Sequence, residues 1–260
     1  MAKRHGRKGD LRVERRKIVF VIGIILLIAG VGVFLFPTVQ QFFYEGETVG
    51  LKEGFLRRTG VRLPEEEGEK DGQEMISPEV DLAYGELYAL LQQKNRELYE
   101  TGQQGLKDAF SYEHPDMDFS EYGLVDNCIG FIQLPTIDME LPLYLGANTA
   151  NMKKGAVHLT QTSYPVGGDN TNCVIAAHRG TSLVMFRNIH LLEIGDEITI
   201  LNFRESLLYE VVEIAIIKPS EIGKILIQEG RDLVTLISCN PLGANYQRYV
   251  VYCERVEQAP

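Results

Sequence analysis

The sequence predicts a mainly β fold, an antiparallel sandwich or barrel over about residues 128–256, behind a helical segment and an apolar N-terminal helix. From Gly130 onward, short β-type runs alternate with turns, and few segments are long enough to form crossover helices. Before them, apolar side chains recur at helical spacing, and further upstream a long run carries no charge. The β-type runs are GFIQLP, LPLYLG, CVIAAH, EITILNF, LLYEVVEIAIIKP, DLVTLIS and YVVYCERV.

One amphipathic helix is predicted from Pro78 to about Tyr99. Ser77 is a suitable N-cap, and proline is well tolerated at the first helical position. Asn95 interrupts the apolar stripe, which we expect to pack on the domain that follows. The stripe consists of Tyr84, Leu87, Tyr88, Leu91 and Leu98.

The run IVFVIGIILLIAGVGVFLF, residues 18–36, is 19 uncharged residues long and ends before Pro37. This length spans a bilayer as a helix. A signal peptide would have a shorter apolar core and a cleavage site, and a buried core helix would show a polar stripe. The run therefore favours an uncleaved membrane anchor.

The charge pattern predicts the orientation of the anchor. Residues 1–17 hold eight of the 26 Lys and Arg but only two of the 36 acids, which leaves 18 basic and 34 acidic residues in the remainder. The positive-inside rule then places the N-terminus in the cytoplasm and residues 40–260 outside the cell membrane. An acidic domain also excludes a large nucleic-acid-binding surface, so no nucleic-acid partner is predicted.

Composition divides the chain into five segments. Residues 45–76 are rich in glycine and contain the acidic cluster EEEGEKDGQE, which is typical of a linker. The predicted segments are a basic tail (1–17), the transmembrane anchor (18–36), an acidic flexible stalk (37–76), a helical segment (77–127) and the β domain (128–260).

The four cysteines are Cys128, Cys173, Cys239 and Cys253. Two disulfides are arithmetically possible, but no CxxC pair or clustered histidine points to structural zinc, and we predict no metal and no cofactor. Cys239 ends the run DLVTLIS and precedes NPLG, where a strand holds a side chain beside an open loop. It could be a buried residue, half of a disulfide, a metal ligand or a nucleophile, and a nucleophile requires a base or a cation nearby.

His178 and Arg248 are the candidate partners of Cys239. His178 ends the run CVIAAH and so has the same strand-then-turn context, whereas His158 in GAVHLTQT is expected to be a hydrogen-bonded structural residue. Arg248 opens YVVYCERV, after a tight loop that returns the chain beside Cys239. A guanidinium cannot act as a base, but it can donate hydrogen bonds to an oxyanion or a substrate. A solvated surface arginine is the alternative.

The chain resembles the sortases, and among them the class C, pilin-polymerising sortases of Gram-positive bacteria. The resemblance is carried by TLISC (235–239) in place of TLxTC, by AAHRG around His178, by GANYQR (243–248) and by the run of residues 155–180 that ends in the same AAHRG. It implies an eight-stranded closed sortase-type β-barrel with N-terminal helices and a preceding transmembrane helix. Ser238 replaces the usual threonine, and Gln247 stands where a histidine is frequent.

The resemblance implies roles for five residues. Cys239 would be the nucleophile, His178 its acid and base partner, and Arg248 the donor to substrate and oxyanion. Asp108 and Phe110, in DAF, resemble a lid motif of Asp, Pro and an aromatic residue that covers the site. The missing proline loosens the backbone there, and an arbitrary loop acid and aromatic are the alternative.

The implied function is that of a membrane-anchored cysteine transpeptidase with an extracellular domain. It would cleave an LPxTG-like sorting signal through a thioacyl-enzyme and join it to a lysine amine of a pilin subunit, with no cofactor. Partners would be pilins or surface proteins that carry such signals, and the membrane, through one N-terminal span. The alternatives are a cell-wall-anchoring sortase that uses a peptidoglycan-precursor amine, and a non-catalytic surface scaffold. A second, C-terminal span, which class C members often have, does not appear before the final VEQAP.

Overall fold

A computed structural model of the protein describes residues 6–61, 77–108, 110–111, 114–115, 117–180 and 183–256. The chain divides into two compact units, Met1–Glu45 and Gly46–Pro260. The second unit contains a closed barrel of eight strands, so the predicted mainly β fold is confirmed.

The described residues of the first unit lie in α1 (Gly6–Thr59), which includes the apolar run and continues through Pro37. An 18-residue window of this helix has a mean hydropathy of 3.2, and none of that window is buried. Within the described residues, α1 is the one helix long and apolar enough to cross a membrane.

The barrel strands follow one another around a closed cylinder in the order β1, β2, β3, β4, β7, β8, β6, β5. Pairing of β5 with β1 closes it, so neither of these two strands is left as an open edge of the barrel. The strands are β1 (Cys128–Leu134), β2 (Met139–Leu145), β3 (Ala156–His158), β4 (Thr171–Ala176), β5 (Glu197–Asn202), β6 (Ser206–Ile217), β7 (Asp232–Asn240) and β8 (Gln247–Arg255).

Two strand pairs correct the expectation of an antiparallel barrel. β2 pairs with β3 in parallel, and β4 pairs with β7 in parallel. The short helix α3 (Thr149–Lys154) makes the first connection, and β5 and β6 lie between β4 and β7 in the sequence. β4 is buried at every position, as expected for a strand of a parallel pair that is covered on both faces. β3 has only three residues, which is why no β-type run indicated it.

The predicted helix forms as α2 (Pro78–Glu100), and the hydroxyl of Ser77 accepts a hydrogen bond at its N-terminus. Asn95 does not weaken the stripe. It is buried, its Nδ2 donates to the Tyr164 carbonyl at 3.2 Å, and its Oδ1 accepts from the Tyr164 amide at 2.7 Å. The side-chain amide therefore bonds both backbone groups of Tyr164, as a residue of a neighbouring strand would, and holds the loop before β4. The buried apolar positions of the stripe are Tyr84, Leu87 and Leu91.

The predicted flexible stalk is wrong for residues 37–59, which belong to α1. There α1 continues, and Phe55, only 1% exposed, packs edge-to-face on Phe131 with ring centroids 5.5 Å apart. Lys52 Nζ lies 2.7 Å from Glu140 Oε2. Composition concealed this helix because two of its buried side chains, Thr48 and Thr59, are polar, which weakens the apolar stripe around Phe55. Residues 62–76 of the predicted stalk lie outside the described residues.

We expect Phe55→Ala to destabilise the second unit by about 3 kcal/mol, because it leaves a cavity against Phe131. Thermal unfolding of the full chain in detergent micelles, followed by near-ultraviolet circular dichroism, measures the change. Val49→Ala, on the exposed side of the same helix, is the control and should cost about 0.5 kcal/mol or less. Equal shifts in the two variants would show that this part of α1 does not stabilise the barrel.

Candidate active site

Cys239 and Arg248 lie opposite each other on β7 and β8. The two residues form a cross-strand pair of the antiparallel ladder, and Arg248 Nη1 lies 4.0 Å from Cys239 Sγ. The intervening loop turns tightly at Gly243, which has a φ of 79°. The return of the chain predicted from NPLGANYQR therefore places the guanidinium beside a half-buried thiol.

His178 lies at the same end of the barrel as Cys239. β4 and β7 run parallel, and their pairing continues to Ala176 and Ile237. His178 comes two residues after Ala176, and Cys239 comes two residues after Ile237. Parallel strands in register end at the same edge, so the imidazole and the thiol belong to one site.

Asp108 forms a two-pronged ion pair with Arg248. Arg248 Nε donates to Asp108 Oδ1 at 2.8 Å, and Nη2 donates to Oδ2 at 2.7 Å. The side chains are 5% and 21% exposed, so the pair is largely shielded from water. In this arrangement the acid occupies one side of the guanidinium. Nε and Nη2 of Arg248 can donate hydrogen bonds to a substrate only after Asp108 moves away.

Phe110 covers the same group of side chains. Its ring centroid lies 4.9 Å from Arg248 Cζ and 6.1 Å from the ring centroid of His178, with which it is stacked. A turn holds the segment, since the Ser111 amide donates to the Asp108 carbonyl at 2.9 Å. Ala109, the residue in place of the proline, lies outside the described residues. The structure thus brings all five predicted site residues together.

Burial shifts the pKa values of the thiol and the imidazole in opposite directions. Burial raises the pKa of Cys239, which Arg248 lowers in part and Asp108 raises further. Burial lowers the pKa of His178. With ordinary pKa values of about 8.5 and 6.5, the thiolate and imidazolium form is about 1% of the neutral pair. Both shifts reduce this fraction, so the arrangement favours the neutral thiol of Cys239.

We expect alkylation of Cys239 by iodoacetamide to accelerate with pH and to keep rising beyond about 8.5, the ordinary pKa of a cysteine. The thiolate is the reactive form, and a raised pKa delays its appearance as pH increases. Intact-mass spectrometry at short reaction times between pH 6 and 10 measures the rate. Cys239→Ala supplies the background from the three buried thiols. A rate that levels off near neutral pH would contradict the raised pKa.

Ser238 contributes to the site in a way that the sequence did not reveal. Its hydroxyl donates to the Ala177 carbonyl at 2.8 Å, and both residues are fully buried. This bond joins the residue before Cys239 to the residue before His178. Retention of a hydroxyl, where the sortase motif has threonine, was the only signal of this role.

The other candidates have structural or surface positions. His158 is fully buried, its Nε2 lies 3.0 Å from the Ser163 carbonyl, and its ring stacks on Tyr164, which confirms the structural interpretation. His190 is exposed. All four cysteines carry free thiols, and burial raises the pKa of Cys128 to about 12.

A half-buried cysteine beside an arginine, with a histidine at the same end of a closed eight-stranded barrel, is the arrangement of a cysteine transpeptidase. The family model described as the sortase domain matches residues 132–256. Sortase C-1 of Actinomyces oris is 33% identical, with 66% of this chain and 99% of that chain covered and a TM-score of 0.58. The chain belongs to the sortase family, which confirms the resemblance seen in its motifs.

Two further relatives extend the comparison. Sortase C1 of GBS Pilus Island 1 has a TM-score of 0.67 at 25% identity, with 82% of this chain and 93% of that chain covered. Sortase D of Bacillus subtilis (strain 168) is 30% identical over 130 residues, which cover 49% of this chain. The match spans 63% of Sortase D, somewhat less than two thirds of its length.

Proposed function

We propose that the protein is a membrane-anchored cysteine transpeptidase that cleaves an LPxTG-like sorting signal and joins it to a lysine amine of a pilin subunit. The observation that carries the proposal is the thiol of Cys239 with Arg248 Nη1 at 4.0 Å, at the barrel end reached by His178. Structural similarity to sortases C, one of them described as pilus-related, supports the pilin assignment.

The first half of the reaction forms a thioester. His178 accepts the proton of Cys239, and the sulfur attacks the threonine carbonyl carbon of the sorting signal. Arg248 donates hydrogen bonds to the oxyanion of the tetrahedral intermediate. The carbon–nitrogen bond to glycine then breaks, and His178 gives its proton to the departing glycine amine.

The second half transfers the acyl group. A neutral lysine amine attacks the thioester carbonyl, and the carbon–sulfur bond breaks to regenerate the thiol as the amine proton is returned through His178. One amide is exchanged for another, so the overall reaction uses no oxidant and no cofactor.

The closed arrangement adds a control step to this mechanism. Asp108 holds Nε and Nη2 of Arg248, and Phe110 lies against both Arg248 and His178. A sorting signal that reaches Cys239 must displace this segment, which we infer to be a lid despite its missing proline. The acid also disfavours the thiolate, so displacement activates the nucleophile as it opens the site.

The proposed location is the outer face of the cell membrane. The apolar part of α1, residues 18–36, would be the span, with the tail 1–17 in the cytoplasm. The helical and lid segment 77–127 and the barrel 128–260 would then be extracellular. Residues 46–59 pack on the barrel within the second unit, which shortens the region available as a flexible stalk.

A competition between two acceptors tests the proposal. The full chain in detergent micelles is incubated with a panel of LPxTG-like peptides, a lysine-bearing pilin-type peptide and a peptidoglycan-precursor amine. We expect a Cys239-dependent isopeptide product mainly with the lysine peptide. Products only with the precursor amine would support the cell-wall-anchoring alternative. No product with either amine, even after Asp108→Ala opens the site, would support the non-catalytic scaffold.

A further inference from the structure

The sequence neighbours of the three proposed catalytic residues are joined to one another by their side chains. Each neighbour is adjacent in sequence to one of the proposed catalytic residues. Two of the neighbours are the last residue of β7 and the first residue of β8, and the third comes three residues after the end of β4. They are Arg179 after His178, Asn240 after Cys239 and Gln247 before Arg248.

Two hydrogen bonds connect these neighbours. Arg179 Nη1 donates to Asn240 Oδ1 at 2.9 Å, and Asn240 Nδ2 donates to Gln247 Oε1 at 3.1 Å. Arg179 is largely buried; its Nε donates to the Arg187 carbonyl at 3.3 Å, and its guanidinium lies 5.3 Å from the Tyr249 ring centroid. The arginine is therefore fixed on several sides before it contacts Asn240.

The guanidinium of Arg179 fixes the direction of both hydrogen bonds. A guanidinium only donates, so Arg179 requires the oxygen of the Asn240 amide to face it. The Asn240 amide nitrogen then faces Gln247, which must present its own oxygen. This explains how a glutamine works at position 247, where the sortase resemblance leads one to expect a histidine. Its amide offers an acceptor that does not titrate.

The three residues lie where regular strand pairing ends. The pairing of β4 with β7 continues to Ala176, and Asn240 with Gln247 is the last pair between β7 and β8. Strand ends open locally at low cost unless further contacts hold them. The proposed nucleophile, base and oxyanion donor sit within two residues of these ends.

We propose that Arg179, Asn240 and Gln247 form a positioning chain that sets the relative placement of thiol, imidazole and guanidinium at the ends of β4, β7 and β8. Within the described residues, the hydrogen bonds made by their side chains do not involve Cys239, His178 or Arg248. Their effect on turnover rests on the proposed function, whereas their effect on the surroundings of Cys239 does not.

The test uses Asn240→Ala, Gln247→Ala and the double variant, none of which changes a charge. In the full chain in detergent micelles, each single variant should lower the kcat of hydroxamate formation from an LPxTG-like peptide and hydroxylamine about fivefold, the factor one hydrogen bond supplies. KM should stay unchanged. The kcat of the double variant should be no lower than that of the single variants, because both substitutions break the same series of hydrogen bonds. Leu242→Ala, an exposed residue of the same loop, should retain the parent kcat.

Iodoacetamide labelling of Cys239 provides a readout that needs no turnover. Each single variant should label about threefold more slowly at pH 8, because the ends of β7 and β8 that carry Cys239 and Arg248 are held less firmly and the guanidinium is placed less closely beside the sulfur. Losses in the two singles that multiply in the double variant, or unchanged labelling in both singles, would overturn the positioning chain. If the parent protein forms no hydroxamate, the proposed function fails, and labelling still decides the positioning chain. If Asn240→Ala does not fold, Gln247→Ala breaks the chain at its other end and decides alone.

Discussion

Replacing Arg248 with alanine should lower kcat/KM for LPxTG-like peptides about 10²- to 10³-fold, the usual loss when one oxyanion donor is removed. Arg248 Nη1 lies 4.0 Å from Cys239 Sγ, and Arg248 is the charge that partly offsets the burial of the thiol. Its removal therefore weakens both the nucleophile and the stabilisation of the intermediate. Steady-state hydroxamate formation by the full chain measures the effect.

Arg248→Lys and Arg204→Ala are the informative companions. Lysine keeps the charge but loses the planar fork, so we expect only partial recovery in Arg248→Lys. Arg204 is an exposed arginine that pairs with Asp81 through one nitrogen, 2.5 Å from the carboxylate. Its replacement by alanine should leave kcat/KM within about twofold. A kcat/KM for Arg248→Ala within tenfold of the parent value would show that Arg248 does not stabilise the transition state.

Asp108→Ala should raise the iodoacetamide labelling rate of Cys239 about five- to tenfold at pH 8, the effect of roughly 1 to 1.4 kcal/mol. The substitution removes a carboxylate that raises the pKa of the thiol and releases the shielded two-pronged pair with Arg248. Phe110→Ala should act in the same direction, since its ring lies over Arg248 and against His178.

The matched control for the lid is Asp126→Ala. It also removes one carboxylate from an ion pair, with Lys154 at 2.9 Å, but that pair is exposed. Its labelling rate should stay within about twofold of the parent, as for exposed ion pairs generally. Unchanged labelling in both Asp108→Ala and Phe110→Ala would show that this segment does not restrict Cys239.

The sequence predicted those parts of the site that are formed by residues close together along the chain. Cys239 and Arg248 are separated by a tight loop, and such a loop returns the chain on a neighbouring strand, so their pairing followed from the spacing. The approach of His178 depends on the parallel pair of β4 and β7, which are far apart in the chain. Alternation of apolar residues carries no information on that pairing, and the family motif supplied it.

Other features were hidden because the decisive contacts are made by polar side chains. The barrel-facing side of α1 uses Thr48, Lys52 and Thr59 beside Phe55, so its helical period was not visible as an apolar stripe. Asn95 interrupts the apolar stripe of α2, but its side-chain amide bonds both backbone groups of Tyr164. Gln247 had no apparent role without its hydrogen bond from Asn240. In each case tertiary contacts, and not residue type, determine the role.

The central claim is that Cys239 forms a thioester with the threonine of a sorting signal, and intact-mass spectrometry tests it most directly. The full chain and its Asp108→Ala variant are mixed with an LPxTG-like peptide in detergent and quenched in acid. The predicted result is a mass increase equal to the acyl fragment that ends in threonine, located on Cys239 by digestion and absent from Cys239→Ala. The contradicting result is no adduct in either protein, or the same adduct when Cys239 is alanine.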